Sequence, residues 1–224
     1  MTIRILSTLA VKGLLEELLA DSQGFEVIFE PTQLLMARIA KQEPADVAIL
    51  TEAAVDQLLA SGVLAPGLKR NVAISAVGIA VKAGAPKPDI STPEAVCALL
   101  RDVPTLCYSR SGASGLHFAR VLQMLGIADE VNAKATIIPS GFTAQTLVDG
   151  RCAIAVQQIS ELLVVPGIEV VGPLPEPIQE TLMFSAGVLA RSERKEAAAQ
   201  WLHSLTRPEL RPQYQRHGLT LAAA

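Results

Sequence analysis

The sequence predicts an α/β fold with parallel sheets, and three observations carry that prediction. Strand-length runs rich in valine, isoleucine and alanine alternate with segments whose apolar residues recur at helical spacing. Hydroxyl residues stand repeatedly where a strand gives way to a helix. Two long β-branched runs, 71–81 and 180–190, bracket the middle of the chain. The third observation implies a middle domain inserted into a discontinuous first one. The expected division is 1–80 plus 184–224 for the first α/β domain and 81–183 for the second, with two crossing strands as a hinge and a ligand cleft between the domains.

Composition narrows the function classes. Half of the 224 residues are hydrophobic, 18% are charged and the net charge is -3. A chain of this size buries a core without staples, and there is no basic excess to attract nucleic acid. No apolar run is long enough to span a membrane. Cys97, Cys107 and Cys152 form no CxxC pair and sit among apolar neighbours, so they read as buried thiols, with no redox site, metal or cofactor expected. The start, Met1-Thr2-Ile3-Arg4-Ile5-Leu6, enters a strand without the basic and apolar regions of a secretory signal. Either the protein is cytoplasmic, which this reading favours, or it is periplasmic and a signal peptide has been removed.

In order, 3–6 reads as a buried strand, and Ser7-Thr8 follows it before the helical pattern of Leu9, Val11, Leu14, Leu15 and Leu18. Residues 25–29 form a second strand, Glu30-Pro31-Thr32-Gln33 its turn, and Leu34, Leu35, Ile39 and Ala40 one face of the next helix. Residues 44–51 are a third strand ending in Thr51, and 52–60 a helix closed by Ser61-Gly62. Ligands of open α/β sheets bind outside the carboxyl ends of the strands, which is where Ser7, Thr8, Thr32 and Thr51 fall. One hydroxyl at a helix start is ordinarily a cap; several at equivalent junctions point to a ligand.

The long strand 71–81 leads through a proline-containing stretch to a helix at 93–100 and a short strand at 104–108. Residues 109–115 read as a small-residue turn, and 116 onward as a helix with Phe118, Val121, Leu122 and Leu125 on one face. Ser109, Ser111 and Ser114 supply hydroxyls at that helix start, while Gly112 and Gly115 allow close approach to the backbone. The unpaired N–H groups and the dipole there favour an anion, and Arg110 is shaped for bidentate binding of a carboxylate. The alternative is that the serines only cap the helix. A strand at 134–138, a helix at 143–148, a strand at 152–156 ending in Gln157-Gln158, and the stretch 164–173 complete the middle domain. Past the second long strand, 192–206 is an amphipathic helix with Trp201 toward the core, and 208–219 closes the chain. His117, one turn into its helix, faces either core, solvent or ligand; Lys12 lies on a solvated helix face.

Several motifs resemble a known family in order and spacing: Ser7-Thr8, Thr32, Pro44-Ala45-Asp46-Val47-Ala48-Ile49-Leu50-Thr51, Gly78-Ile79-Ala80-Val81, Ser111-Gly112-Ala113-Ser114-Gly115, and Gly150-Arg151-Cys152-Ala153-Ile154-Ala155-Val156-Gln157-Gln158. They are similar to the type II periplasmic solute-binding proteins, in particular the molybdate-binding-protein-like branch, over nearly the whole chain. The resemblance implies two α/β domains with mixed sheets joined by a two-strand hinge, and an anion held by hydroxyls and backbone N–H groups. Carried over residue by residue, it implies ligand contacts at Ser7 or Thr8, Thr32 and Ser111. Thr51, Ser109, Arg110, Gly112, Ala113, Ser114, Gln157 and Gln158 complete the expected set. Glu30-Pro31-Thr32-Gln33 departs from the branch's serine-rich junction, and Gln157-Gln158 stands in place of a tyrosine-containing segment. Such groups suit a carboxylate with further hydrogen-bonding groups as well as a compact oxyanion.

The expected function is a monomeric solute-binding protein that closes on a small anion and delivers it to an ABC transporter permease. The alternative is a cytoplasmic isomerase of small tricarboxylates, because the same branch resembles aconitate isomerase. His117 and Arg110 would then serve allylic proton transfer. No Ser-His-Asp spacing, metal cluster or nucleotide loop supports another enzyme class.

Overall fold

The computed structural model describes residues 2–222. The chain divides into two compact units, Met1–Ser75 with Leu182–Ala224, and Ala76–Thr181.

Unit 1 opens with β1 (Ile3–Ser7), a 3-10 turn at Leu9–Val11 and α1 (Lys12–Leu19). It continues with β2 (Phe25–Phe29), α2 (Thr32–Ala40), β3 (Val47–Thr51) and α3 (Glu52–Ala60). β1 lies parallel to both β2 and β3, with Ser7 opposite Phe29 and Ile49, so the three strands end along one edge. Side chains alternate across a strand. Ile5 and Ile49 therefore enter one core with Val72, Val188, Leu202 and Tyr214, while Leu6 and Leu50 enter another with Leu35, Val55 and Leu58. Burial on both faces explains why β3 reads as an unbroken apolar run.

The chain leaves unit 1 along β4 (Arg70–Lys82). Unit 2 then adds α4 (Pro93–Asp102), β5 (Leu106–Ser109), α5 (Ala113–Met124) and α6 (Ala128–Asn132). β6 (Ala135–Ile138), α7 (Gln145–Val148), β7 (Ile154–Gln158), α8 (Ile159–Leu162) and β8 (Ile168–Pro173) complete it. β5 is parallel to β6 and β7, and the second half of β4 runs antiparallel to β7 and β8. One face of this mixed sheet buries Val77, Ile79, Leu106, Tyr108, Phe118 and Val156; the other buries Ala80, Leu147, Ala155 and Leu162. Tyr108 and Phe118 meet edge to face, ring centroids 5.2 Å apart.

The return strand β9 (Thr181–Val188) runs antiparallel to β3, with Val47 opposite Val188. After α9 (Lys195–Leu205) and α10 (Arg211–Arg216), β10 (Thr220–Leu221) pairs antiparallel with the start of β4. Unit 1 is therefore also a mixed sheet. Trp201 packs on Phe25, centroids 5.6 Å apart.

Three local expectations are corrected. The helix expected from 116 begins at Ala113, so Ser114 and Gly115 belong to its first turn. The helix expected from 143 begins at Gln145 and leaves Thr143 in the preceding loop. Cys107 and Cys152 are buried, but Cys97 on α4 is only half-buried. Burial pushes the Cys107 thiol up to about 11. Among the described residues, no helix is long and apolar enough to cross a membrane.

Candidate functional site

Unit 2 gathers polar groups where its parallel strands end. Ser109 is the last residue of β5 and 2% exposed, and its hydroxyl oxygen is buried without a hydrogen-bond partner. The residue before α5 is Gly112, which has no side chain to cap the helix. Leu116 N–H donates to the Gly112 carbonyl at 3.0 Å, but no hydrogen bond engages the N–H groups of Ala113, Ser114 and Gly115 among the described residues. These are the orphan donors that a helix start presents to an anion.

The two glycines are explained by the same serine. A Cβ on Gly112 would stand 2.6 Å from Ser109 Oγ, and one on Gly115 would be 2.7 Å from that atom. The absence of side chains lets the first turn of α5 settle against the end of β5, with the Ser109 hydroxyl enclosed between them.

Two contacts fix the intervening loop. Arg110 N–H donates to the Ile138 carbonyl at 2.8 Å, and Ser111 Oγ donates to the Pro139 carbonyl at 2.6 Å. Ser111 thus directs its hydroxyl proton to the chain after β6, while the exposed Arg110 guanidinium has no partner among the described residues. Ser114 is buried in the first turn of α5.

The next junction is held by Gln157 at the end of β7. Its Oε1 accepts from Thr143 N–H at 2.8 Å and from Thr143 Oγ1 at 2.9 Å, and its Nε2 donates to the Gly141 carbonyl at 2.8 Å. Glu161 follows on α8, half-buried. Burial pushes its carboxyl up to about 7. No ion pair involves Glu161 among the described residues, whereas Asp149 and Glu180 of the same unit both have arginine partners. Gln158, buried at the last position of β7, lies opposite Val77.

Unit 1 has a corresponding edge. Ser7 is fully buried with its hydroxyl donating to the Thr8 carbonyl at 3.2 Å, and Thr8 N–H donates to the Ile49 carbonyl at 2.9 Å. Thr32 is the first residue of α2, and Thr51 precedes α3 without a side-chain cap bond. Glu30 at this edge is held by Arg38 through two hydrogen bonds of 2.8 and 2.6 Å, which keep its carboxyl below the usual range. Lys12 lies over the Phe29 ring, 5.0 Å from its centroid, and pairs with Glu16.

His117 is buried in α5, with Nε2 at 2.8 Å from the Ile178 carbonyl and Nδ1 at 2.7 Å from Glu180 Oε2. Arg120 shares that carboxylate oxygen at 2.7 Å. Both ring nitrogens of His117 thus face acceptors within unit 2.

The structure gathers Ser109, Arg110, Ser111, Gly112, Ala113, Ser114 and Gln157 along one edge of unit 2, and Ser7, Thr8, Thr32 and Thr51 along one edge of unit 1. Sequence reasoning passed over Thr143 and Glu161. Thr143 had a usable signal, since Ser140-Gly141-Phe142-Thr143 is another small-residue junction after a strand. Glu161 had none, because its burial comes from the fold around it.

A family model described as bacterial extracellular solute-binding protein matches residues 12–220. An aconitate isomerase of Pseudomonas sp is 36% identical over 174 residues, 77% of this chain and 66% of that protein. The chain thus spans just under two thirds of that relative's length. Among solved structures, the periplasmic molybdate-binding protein of Azotobacter vinelandii superposes with a TM-score of 0.81 at 18% identity, covering 99% of this chain and 100% of that one. The sulfate-binding protein of Mycobacterium tuberculosis gives 0.71 at 17% identity, covering 98% and 86%. Likeness at these identities shows the fold. The expectation of a cytoplasmic location finds no support in a family described as extracellular.

Proposed function

Because the chain belongs to the family of bacterial extracellular solute-binding proteins and has the type II periplasmic-binding-protein fold, we propose that it binds a small anion, a carboxylate or oxyanion, at the carboxyl edge of unit 2. The observation that carries this reading is the buried, unpartnered hydroxyl of Ser109 beside the uncapped start of α5. A buried hydroxyl without a partner costs about 1–3 kcal/mol, a cost removed when a ligand oxygen accepts its proton. Ala113, Ser114 and Gly115 add backbone donors, and the Arg110 guanidinium adds a charged one. Thr8, Thr32 and Thr51 of unit 1 are assigned to binding of the same class of ligand. A transporter permease is the partner this reading calls for, with the protein acting outside the cytoplasm.

Calorimetric titration with molybdate, sulfate, citrate and trans-aconitate tests the reading. Binding of at least one anion, weakened about tenfold or more by Ser109→Ala, is expected. Failure of every anion to bind, or binding indifferent to Ser109 and Arg110, overturns it.

A second reading is isomerisation of a small unsaturated tricarboxylate. It is favoured by the 36% identity to an aconitate isomerase. Proton NMR of trans-aconitate with catalytic protein in D2O is the test: appearance of the cis isomer with deuterium incorporated supports it, and absence of turnover removes it.

A further inference from the structure

The arginines of this chain divide by whether an acid faces them. Seven of the twelve stand within ion-pair distance of a carboxylate; Arg70, Arg110, Arg191, Arg207 and Arg211 do not, among the described residues. Three of these five, Arg70, Arg207 and Arg211, line one groove of unit 1 with a volume of about 820 Å³. Its walls come from the start of β4, the end of α9 with the turn that follows, the start of α10, and β10. Lys69 and His203 add two further basic side chains, and no acidic residue lines the groove among the described residues. Lys69 is paired, with Asp56 at 2.6 Å and Glu52 at 3.3 Å. The three arginines are not.

Backbone rather than acid fixes two of the guanidinium heads. Arg207 Nε donates to the Ser204 carbonyl at 3.2 Å, and Arg70 Nη1 to the Lys69 carbonyl at 2.8 Å. Both heads are oriented with their charge left intact. A cation at the end of a helix ordinarily answers the dipole, which suffices for Arg207 after α9. It does not account for Arg70 on a strand, or for Arg211 at the first position of α10, where the dipole disfavours a cation. Like charges sharing one groove repel, in a chain whose net charge is -3. An anion placed among them relieves that repulsion.

We propose that this groove is a second binding site, carried wholly by unit 1, and that it takes a phosphate ester of a small organic molecule. None of Thr8, Thr32 and Thr51 lines it. Phosphate is favoured over a lone carboxylate by charge and by shape. A phosphate monoester carries about two negative charges at neutral pH and three strong acceptor oxygens, enough to engage several guanidinium forks at once. A single carboxylate, with one charge, is satisfied by one fork. Asn71 Oδ1 accepts from Ser185 Oγ at 2.9 Å, which leaves the Asn71 NH2 to donate to a further ester oxygen. Pro208 and Leu221 give the organic part an apolar wall. The volume falls within the range of small-molecule sites, roughly 300–1,000 Å³.

Calorimetric titration of the full chain with ADP, glycerol 3-phosphate and inorganic phosphate tests the proposal, with each titration repeated on the double variant Arg207→Gln, Arg211→Gln. The expected result is saturable binding of at least one ester, tighter than inorganic phosphate and weakened about tenfold or more in the double variant. Ser109→Ala alters unit 2 and should leave ester affinity within about twofold of the unsubstituted protein. Ester binding lost in Ser109→Ala and kept in the double variant assigns the ester to the edge of unit 2 and overturns the proposal. Failure of both esters to bind, or an affinity no tighter than that of inorganic phosphate, also overturns it. Arg207 and Arg211 are exposed, so their replacement is compatible with folding. Should the double variant still fail to fold, Arg70→Gln decides: a loss of about threefold or more in ester affinity supports the site, and a smaller loss overturns it.

Discussion

A Cβ on Gly115 would stand 1.8 Å from the carbonyl oxygen of Ser109. The obstacle is backbone, which cannot rotate aside, so this one pair ties the end of β5 to the first turn of α5 and leaves room for nothing larger than hydrogen. The placement of the unpaired N–H groups beside the Ser109 hydroxyl depends on that contact.

Gly115→Ala therefore runs against helix propensity. Alanine is favoured over glycine in a helix by about 1 kcal/mol, but here the methyl must displace the turn from the strand. The expected outcome is a net loss of about 2 kcal/mol or more in denaturant unfolding, together with loss of anion binding.

Ser109→Ala should separate stability from binding. Removing a buried hydroxyl that has no partner leaves the unliganded protein equally stable or more stable by up to about 1 kcal/mol, while anion affinity falls. Thermal melting with and without ligand reads both quantities. A destabilised unliganded protein would mean that the hydroxyl has a partner of its own.

Gln157→Leu removes the acceptor of Thr143 N–H and hydroxyl and the donor to Gly141, leaving buried polar groups unpaired. A loss of about 2–4 kcal/mol is expected from urea unfolding. Loosening of the 141–143 loop should appear as faster amide exchange at Thr143, and unchanged protection there would contradict its dependence on Gln157.

Glu161 sets a pH dependence with a defined sign. Its carboxyl is raised from 4.5 to about 7 by burial, so between those values the folded protein holds a proton that the unfolded chain has released. Stability contributed by this group falls as pH rises through that window and levels off above it. Glu161→Gln cannot ionise and should gain on the unsubstituted protein as pH rises, by at most about 3 kcal/mol above pH 7. Unfolding free energies measured from pH 4 to 8 check the direction; a difference that stays flat would place the carboxyl in water.

Much of the fold was legible because both-face burial turns β3 into a continuous apolar run, and because the strand-to-helix junctions are marked by hydroxyl and glycine residues. The reading failed where local sequence gives no account of distant contacts. Nothing near 113–115 announces that Gly115 is a helical residue, since the reason is the Ser109 carbonyl beneath it. The sequence does not show that Ser111 donates to the Pro139 carbonyl or that the Gln157 side chain bonds the 141–143 loop. Glu161 looks like any helix-start acid until the packing of unit 2 half-buries it.

The division of unit 1 between the two ends of the chain has a consequence for biosynthesis. During translation every strand of unit 2 is made before β9 and β10, whereas the sheet of unit 1 waits for both. Until then β3 presents an edge that β9 will later cover, and an open edge invites pairing with other chains. The segment that carries β9 and β10 thus decides when the β3 edge of the nascent protein is covered.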